Sequence, residues 1–560
     1  MSVLFSTGLS GLNIARTALV TTAHNTANVY TEGYSRQKVV VESNPALATT
    51  GGFIGAGARV TTVVRSYDGF LSAQLSQAES SAQGLDAYAN QIRRLDDLLA
   101  DRTSGLSALM QGFFAGVQGV ADTPADPAAR QQLLSGAQAL AGKFRSVDRY
   151  LTDLNGSLNE QIAGSVNQIN GIATQVAALN RQISQLSGAS GQPPNDLLDT
   201  RDKLLADLSK VVGVTVVQQD GGQYNVFIGS GHTLVLGDRA ATVTAVASAA
   251  DPTRQAVALL GANGNTTELK DADVSGGTLG GMLAFRGQAL ASAQNAIGRI
   301  ATTLAASFNQ QHRAGVDLLG QDGADFFSLA GPVTLSNGNN KGTLAVTATV
   351  TDASRLTTSD YAVKVGGTPG ALTFSVTRLS DGQPVAATVA PAGADPASFT
   401  SLSFDGVTVE PVAPAGLPQP GDSFLVAPTR AAARDFEVAI GDPSRIAAGQ
   451  NPGFGPADGR NALQLAALQR QALVGDGTTT FNGAYARLVS EVGNRAMEVQ
   501  VAHDSQASLA AQVRASQQAV AGVNQDEETA NLLMYQQMYQ ANAKVIQTAS
   551  AIFDTILGLR

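Results

Sequence analysis

The 560-residue chain contains no cysteine and no tryptophan, and charged side chains make up 14% of it, against about 25% in ordinary soluble proteins. Without cysteine there can be no disulfide, no thiol nucleophile and no cysteine-built zinc or iron–sulfur centre. The four histidines, His24, His232, His312 and His503, lie far apart in sequence. None has a second histidine at helical or hairpin spacing, so each reads as structural or exposed and no metal is expected. Aromatic residues account for only 5%, a thin supply of bulky core side chains. Helices packed through small contacts fit that composition better than a dense enzyme core.

Basic clusters are also missing. The net charge is -9 with a pI near 5.0, and no stretch concentrates Lys or Arg, so nucleic acid is not an expected partner. The N-terminal segment has no basic leader and no apolar run before a small-residue cleavage site. With no 18-residue apolar span anywhere after that segment, membrane insertion is not expected either. Export, if it occurs, must then read an uncleaved segment. The length implies about three to five domains.

What is present is helical periodicity. Leu532, Tyr535, Tyr539, Asn542, Ile546, Ala549, Phe553 and Ile556 step by three and four, a heptad seam with one Asn. Met1, Phe5, Gly8, Leu12, Ala15, Leu19, Thr22, Thr26 and Val29 repeat the spacing with smaller residues. Matching periods at the two ends predict that they pair. Such helices recover too little burial alone to offset their backbone entropy, so they are expected to be loose in the monomer and ordered against partners.

Two further seams follow, Leu85 to Leu99 and Leu140 to Leu158. The second steps to Ile162 and continues through Ser165, Ile169, Ile172, Val176, Leu179, Ile183 and Leu186, one long helix with a shifted stripe. NDLLDTRDKLLADLSKVVGV, from Asn195 behind Pro193 and Pro194, predicts a capped short helix. Val-rich, Gly-punctuated segments from about 211 predict antiparallel strands. Helix returns from Leu279 to about Gln311, a second β region occupies about 331 to 428, and helix resumes near Arg460 with breaks at 475 to 483 and near Asn524.

The order helix, β, helix, β, helix predicts an α+β multidomain protein, a discontinuous α-helical rod built from both chain ends with two inserted antiparallel β modules. Residues 1–40 with 520–560 would form a terminal coiled-coil domain, and 41–205 with 279–330 and 429–519 the helical rod. The first β module would span 206–278 and the second 331–428.

No catalytic constellation emerges. Asp196, Asp199 and Asp202 at steps of three could mimic a metal or acid–base cluster, but neighbouring Arg201 and Lys203 favour capping and ion pairing. GVDLLGQDGADFF, from Gly315, fails the calcium-loop template at Leu319, Gln321 and Ser328, and an Asp-Gly turn accounts for it. GGFIGAGAR, from Gly51, lacks the strand–helix context of a dinucleotide loop and reads as a hairpin or loop. Tyr30, Tyr34, Tyr535 and Tyr539 could be interface anchors or ordinary packing.

HNTANVYTEGYSRQKVVV, from His24, resembles the N-terminal signature of the flagellar axial proteins, and VNQDEETANLLMYQQMYQANAKVIQTASAIFDTILGL, from Val523, resembles their C-terminal one. Within that family, NDLLDTRDKLLADLSKVVGV, YNVFIGSGHTLVLG, the helical return from Gly276 to Phe327, GDSFLVAPTRAAARDFEVAI and DGRNALQLAALQ resemble the first hook-associated proteins. The resemblance implies a structural subunit joining hook to filament in a bacterial flagellum, exported by the type III apparatus without cleavage and located outside the cell. It implies as partners the hook protein, the second junction protein FlgL, copies of the chain itself, and an export chaperone, FlgN, on the C-terminal helix. No cofactor is implied. The assembly seam would comprise Leu12, Leu19, Asn25, Asn28, Tyr34, Leu532, Tyr535, Tyr539, Asn542, Ile546, Phe553 and Ile556. Alternatives are a hook or distal rod subunit of the same family, and an enzyme or adhesin module carried on an axial scaffold.

Overall fold

A computed structural model describes residues 2–50, 52–100, 105–261, 263–368, 371–414 and 416–558. The chain opens with helix α1 (Ser2–Ala27), then a long hairpin of β1 (Gln37–Ser43) and β4 (Ala58–Arg65), tipped by β2 (Leu47–Thr49) and β3 (Gly52–Ile54). Of GGFIGAGAR, Gly51 lies outside the described residues and 52–59 belong to this hairpin. The stretch from 41 assigned to the helical rod thus begins with strands, because the Val-rich alternation on both sides of the glycines pairs.

Three helices follow. α2 (Gly69–Leu99) starts where Asp68 accepts hydrogen bonds from Phe70 N and Leu71 N. α3 (Leu106–Asp122) leads to α4 (Pro127–Ser190), a single helix of 64 residues and about 95 Å. Asp126 caps its start ahead of Pro127, and Gly191 at φ 65° ends it. The buried stripe runs through Leu140, Phe144, Val147, Leu151, Leu154, Leu158 and Ile162 as the periodicity predicts. Beyond Ile162 it passes through Val166, Ile169, Val176, Asn180 and Ile183 instead of Ser165 and Leu179, and Leu186 is half exposed. Asn180 can occupy this face because its amide donates to the Tyr224 and Gly237 carbonyls and accepts from Tyr224 N and Arg201.

α5 (Asn195–Val211) packs on α4. Strands β5 (Val214–Gln218), β6 (Tyr224–Ile228), β7 (His232–Leu236) and β8 (Arg239–Ala240) form one antiparallel sheet. β9 (Thr242–Ala247), β10 (Gln255–Leu260) and β11 (Thr266–Glu268) form a second. Their buried Val226, Leu234, Val243 and Val257 join the same hydrophobic core as the helices. α6 (Gly277–Phe285) and α7 (Ala291–Arg313) flank one π-helical turn at Arg286–Leu290. That turn carries buried Arg286 to Asp271 (2.9 and 3.0 Å) and to the Gln255 carbonyl. α6 crosses α2 at bare backbone: a Cβ on Gly281 would come 1.9 Å from the Gly84 carbonyl oxygen.

β12 (Phe327–Ser328) leads into the outer strands β13 (Val333–Ser336), β14 (Val346–Val350), β15 (Tyr361–Thr368), β16 (Ala371–Arg378), β17 (Pro384–Val385), β18 (Thr388–Ala390), β19 (Ser401–Phe404), β20 (Val407–Pro411) and β21 (Ser423–Ala427). They form sheets in the orders β13-β21-β15-β16-β17 and β14-β20-β19-β18, and their hydrophobic core is separate from that of the helices. β22 (Glu437–Val438) returns to pair with β12. α8 (Arg460–Ala467) follows, and α9 (Phe481–Ala521) runs back along α2 to α10 (Gln525–Leu557), which pairs with α1. The scarce aromatics concentrate where the outer segment leaves and rejoins the helices: Phe113, Phe308, Phe326, Phe327 and Phe436 have neighbouring ring centroids 4.8 to 6.1 Å apart.

Val3–Ala27 is long and apolar enough to cross a bilayer, with mean hydropathy 1.3. Its apolarity comes from Ala, Val and Leu spread among Gly and Thr, which hides the run from inspection. Only 22% of that stretch is buried in the chain.

Gly281→Ala is expected to lower the unfolding free energy in urea by about 1–3 kcal/mol, whereas Gly287→Ala, whose Cβ meets nothing within 4 Å, should leave it unchanged or raise it by up to about 1 kcal/mol. A pH effect should also appear at Asp148 on α4. Burial pushes its carboxyl up to about 6, only partly offset by Arg434. Above pH 6 the folded state bears the cost of a buried charge, about 2 kcal/mol, which is relieved as the pH falls toward 4. Asp148→Asn is therefore expected to stabilise the protein at pH 7.5 and to match the parent at pH 4 in calorimetry.

Candidate functional site: the terminal helix pair and its joint

Small residues let α1 and α10 approach. Gly8, Ala15, Ala18, Thr22 and Asn25 are the buried positions shared with the α1 seam or next to it. A Cβ on Gly8 would come 3.0 Å from Ile546 Cγ1, and one on Gly11 only 2.3 Å from Asn542 Oδ1. The Asn542 amide itself donates to the Met538 carbonyl (2.8 Å). Leu12, Leu19, Leu532, Tyr535, Asn542 and Ile546 are half-buried along the pair. α1 also packs against β1 and β4, so its covered face is wider than one heptad stripe and includes Ile14 and Thr21.

Other seam residues stand elsewhere. Tyr539 (38% exposed) and Phe553 (53%) lie at the margin of the pair, and Tyr30 is 90% exposed. The side chain of Ile556, like Met1, lies outside the described residues. Asn28 serves the end of α1: its amide donates to the His24 carbonyl and its oxygen accepts from Thr31. The outer flank of the pair leaves Leu4, Phe5, Leu9, Val20, Met534 and Met538 uncovered.

Beneath the pair is a polar joint. The Asn25 side chain donates to the Gln37 carbonyl (3.0 Å) and to Glu528 Oε2 (3.1 Å), and accepts from Tyr34 Oη (2.7 Å) and Gln37 N (2.9 Å). Both amide groups are thereby saturated. Arg36 forms ion pairs with Glu527 and Glu528, each at 2.7 Å, and its backbone N donates to the Ala521 carbonyl. Three segments are tied at one point: the exit of α1, the end of α9 and the start of α10. Glu527 and Glu528 also sit in the first turn of α10, where carboxylates oppose the helix dipole.

The joint rests on α5 through the acidic triplet. Asp199 accepts from Ser35 N and pairs with Arg65 (2.8 Å), Asp202 pairs with Arg65 (2.7 Å), and Asp196 meets His24 and Gln37. The ion pairing expected for these acids is present, but its cation is Arg65 of β4, 134 residues before Asp199. Arg201 instead lies 3.5 Å over the Tyr224 ring, and Lys203 pairs with Glu32. Asn195 does not cap α5; its amide donates to the Val63 carbonyl (2.8 Å) and draws the helix onto the hairpin. Burial pulls the Arg65 guanidinium down, yet Asp202 and Asp199 outweigh it and hold it above its ordinary value. Burial raises the Tyr34 phenol, and the carboxylates of Asp196, Asp199 and Glu528 add to the rise, so Tyr34 stays a neutral donor.

Among the described residues no group of three or more acidic or histidine side chains could hold a metal ion. His312 is fully buried between the Ala324 carbonyl and Ala447 N, and burial lowers its pKa. Asp317 closes a turn through Leu319 N and Gln321 N. Tyr361, the single tyrosine of the outer strands, is buried with its hydroxyl on Thr357 and Asp405. The sequence reading missed Ser35, Arg36, Gln37, Arg65 and Glu528. Of these, only Glu528, one of the acidic residues at a helix start, carried a readable signal.

Comparison with known proteins gives a consistent result. Residues 92–327 match the model of the flagellar hook-associated protein FlgK helical domain, 335–428 that of the flagellar hook-associated protein 1 D2-like domain, and 517–559 that of the flagellar basal body rod FlgEFG protein C-terminal region. The chain is 40% identical over 568 residues to flagellar hook-associated protein 1 of Salmonella typhimurium and 38% identical over 561 residues to that of Escherichia coli, covering 100% of both chains each time. The structure of the flagellar hook junction protein FlgK from Burkholderia pseudomallei superposes with a TM-score of 0.73 at 28% identity, covering 80% of this chain and 100% of that one.

Asn25→Asp would replace two donated hydrogen bonds with a carboxylate facing Glu528 in a buried site. It is expected to cost the joint about 2–4 kcal/mol, measured as lost amide protection in α1 and α10 while α4 keeps its own. Adding Glu528→Gln should recover more than half of that loss in a double-mutant cycle.

Proposed function

Because the chain belongs to the flagellar hook-associated protein 1 (FlgK) family of structural flagellar proteins, we propose that it forms the layer joining hook to filament through its paired terminal helices. The supporting observation is the α1–α10 pair itself: ends more than 500 residues apart meet along their length, yet the outer flank of both helices stays apolar and uncovered. A subunit that repeats head to tail without closing needs such a second face for its neighbours. In this reading the neighbours are copies of the chain, the hook protein on one side and the second junction protein, FlgL, on the other.

The working units proposed are the terminal pair, the helical rod and two β modules, with the polar joint between the first two. The absence of cysteine suits a chain that passes from a reducing cytoplasm to the exterior, because no stray disulfide can form on the way. Uncleaved type III export and a chaperone, FlgN, on α10 before assembly complete the proposal. The Met534 and Met538 side chains, flexible and exposed, give that helix a surface able to accept successive partners. The family is one of structural flagellar proteins, and Tyr361, the single tyrosine of the outer strands, is packed in their core.

The test is a charge placed in the pair. Ile546→Asp is expected to leave hooks intact and to abolish filament growth, with unpolymerised flagellin in the medium, as seen by electron microscopy and immunoblotting. Filaments of normal length in this strain would remove the pair from the assembly seam.

A further inference from the structure

The outer strands β13 to β21 have their own core, and what attaches them to the helices is polar. At the exit, Thr429 is fully buried, its hydroxyl donating to the Asn295 carbonyl (3.1 Å), and its own carbonyl lies so close to α7 that a Cβ on Gly298 would come within 1.8 Å of it. This fixes the backbone of the linker on the rod. The next residue, Arg430, sends its guanidinium in two directions: to Asp251 of the β9–β10 turn (2.5 Å), and to Asp360, which immediately precedes β15. Three bodies meet at one side chain, namely the rod-bound linker, the first β module and the outer module.

The two carboxylates are 5% and 4% exposed. Asp251 has further support from Thr253 (2.6 Å) and Arg254 (3.2 Å). The second oxygen of Asp360 is buried without a hydrogen-bond partner among the described residues. Its direct ion pair there is with Arg430, while Arg254, bound to Asp251, acts on it only at longer range. A buried carboxylate deprived of its direct ion-pair partner is strongly unfavourable unless water reaches it. Water reaches Asp360 only if the outer module moves off the turn at Asp251. Other attachments among the described residues are hydrogen bonds, Gly338 N to the Ala249 carbonyl, Thr303 to the Ala353 carbonyl, Arg299 to the Leu356 carbonyl and Asp476 N to the Ser354 carbonyl, and the two hydrophobic cores are separate there.

We propose that Arg430 is a latch that holds the outer module at one angle to the rod and the first β module, and that the module swings away as a folded unit when the latch opens. The latched and open states differ by the hydration of one carboxylate, which makes the change stepwise instead of continuous.

The cysteine-free chain allows a direct test in the full-length protein. A Cβ on Gly338 would lie 3.8 Å from Ala249 Cβ, within the roughly 3.5–4.5 Å that a disulfide requires. The A249C/G338C chain is expected to cross-link completely under mild oxidation. Adding Arg430→Met, which keeps the aliphatic stem and removes the charge, should slow cross-linking about tenfold or more. Hydrogen exchange at the β15 amides reports whether the outer module is still folded. Should Arg430→Met lose that protection, Arg430→Lys decides, because one ammonium cannot span both carboxylates and slower cross-linking of a folded module is again expected. Parent-like cross-linking rates in the variant whose module stays folded would overturn the proposal.

Discussion

The structure depends on one closure constraint: the two ends of a long chain must lie side by side. Asn25 and Glu528 are 503 positions apart and share a buried hydrogen bond. Everything between them has to depart from the helical rod and return to it at the same level. The first β module leaves at the end of α5 and returns at the start of α6, and the outer strands leave after α7 and return through the β12–β22 pair. Insertions that start and end at neighbouring points leave the path of the rod undisturbed. The few large aromatic rings are spent where that return is hardest to hold, around Phe113, Phe327 and Phe436.

The closure is made by small residues and saturated polar groups instead of bulky apolar ones. Glycine on α1 admits α10 to near backbone contact, and glycine on α6 does the same against α2. Asn25, Asn180 and Arg65 each occupy a place where an apolar side chain would pack, and each has its polar atoms met by the backbone or by charge. Low overall charge therefore does not mean weak electrostatics. Several of the charges that are buried, Arg65 with Asp199 and Glu528 at the joint and Arg430 with Asp251 and Asp360, lie where screening is least effective.

Periodic features were legible in the sequence. The long helix α4, the breaks near residues 475 to 483 and at Asn524, the pairing of the two ends and the two β regions all follow from spacing and turn residues. Contacts decided at long range were not. Asn180 is buried on α4 in place of Leu179 because Tyr224 and Gly237 arrive from a sheet 44 or more residues later, and a polar residue on an apolar face carries no sign of its partner. Arg65 gave no signal because a single arginine at the end of a strand looks solvated until α5 brings two carboxylates to it. Ile14 and Thr21 were missed for the same reason, since only the hairpin beside α1 widens the covered face.

The contact between Gly11 and Asn542 has a metrical consequence. Gly8 and Gly11 lie on the same face of α1 within one turn, and a Cβ at either would crowd Ile546 or Asn542 of α10. The separation of the two helices at this level is therefore set by two side chains that α1 does not carry.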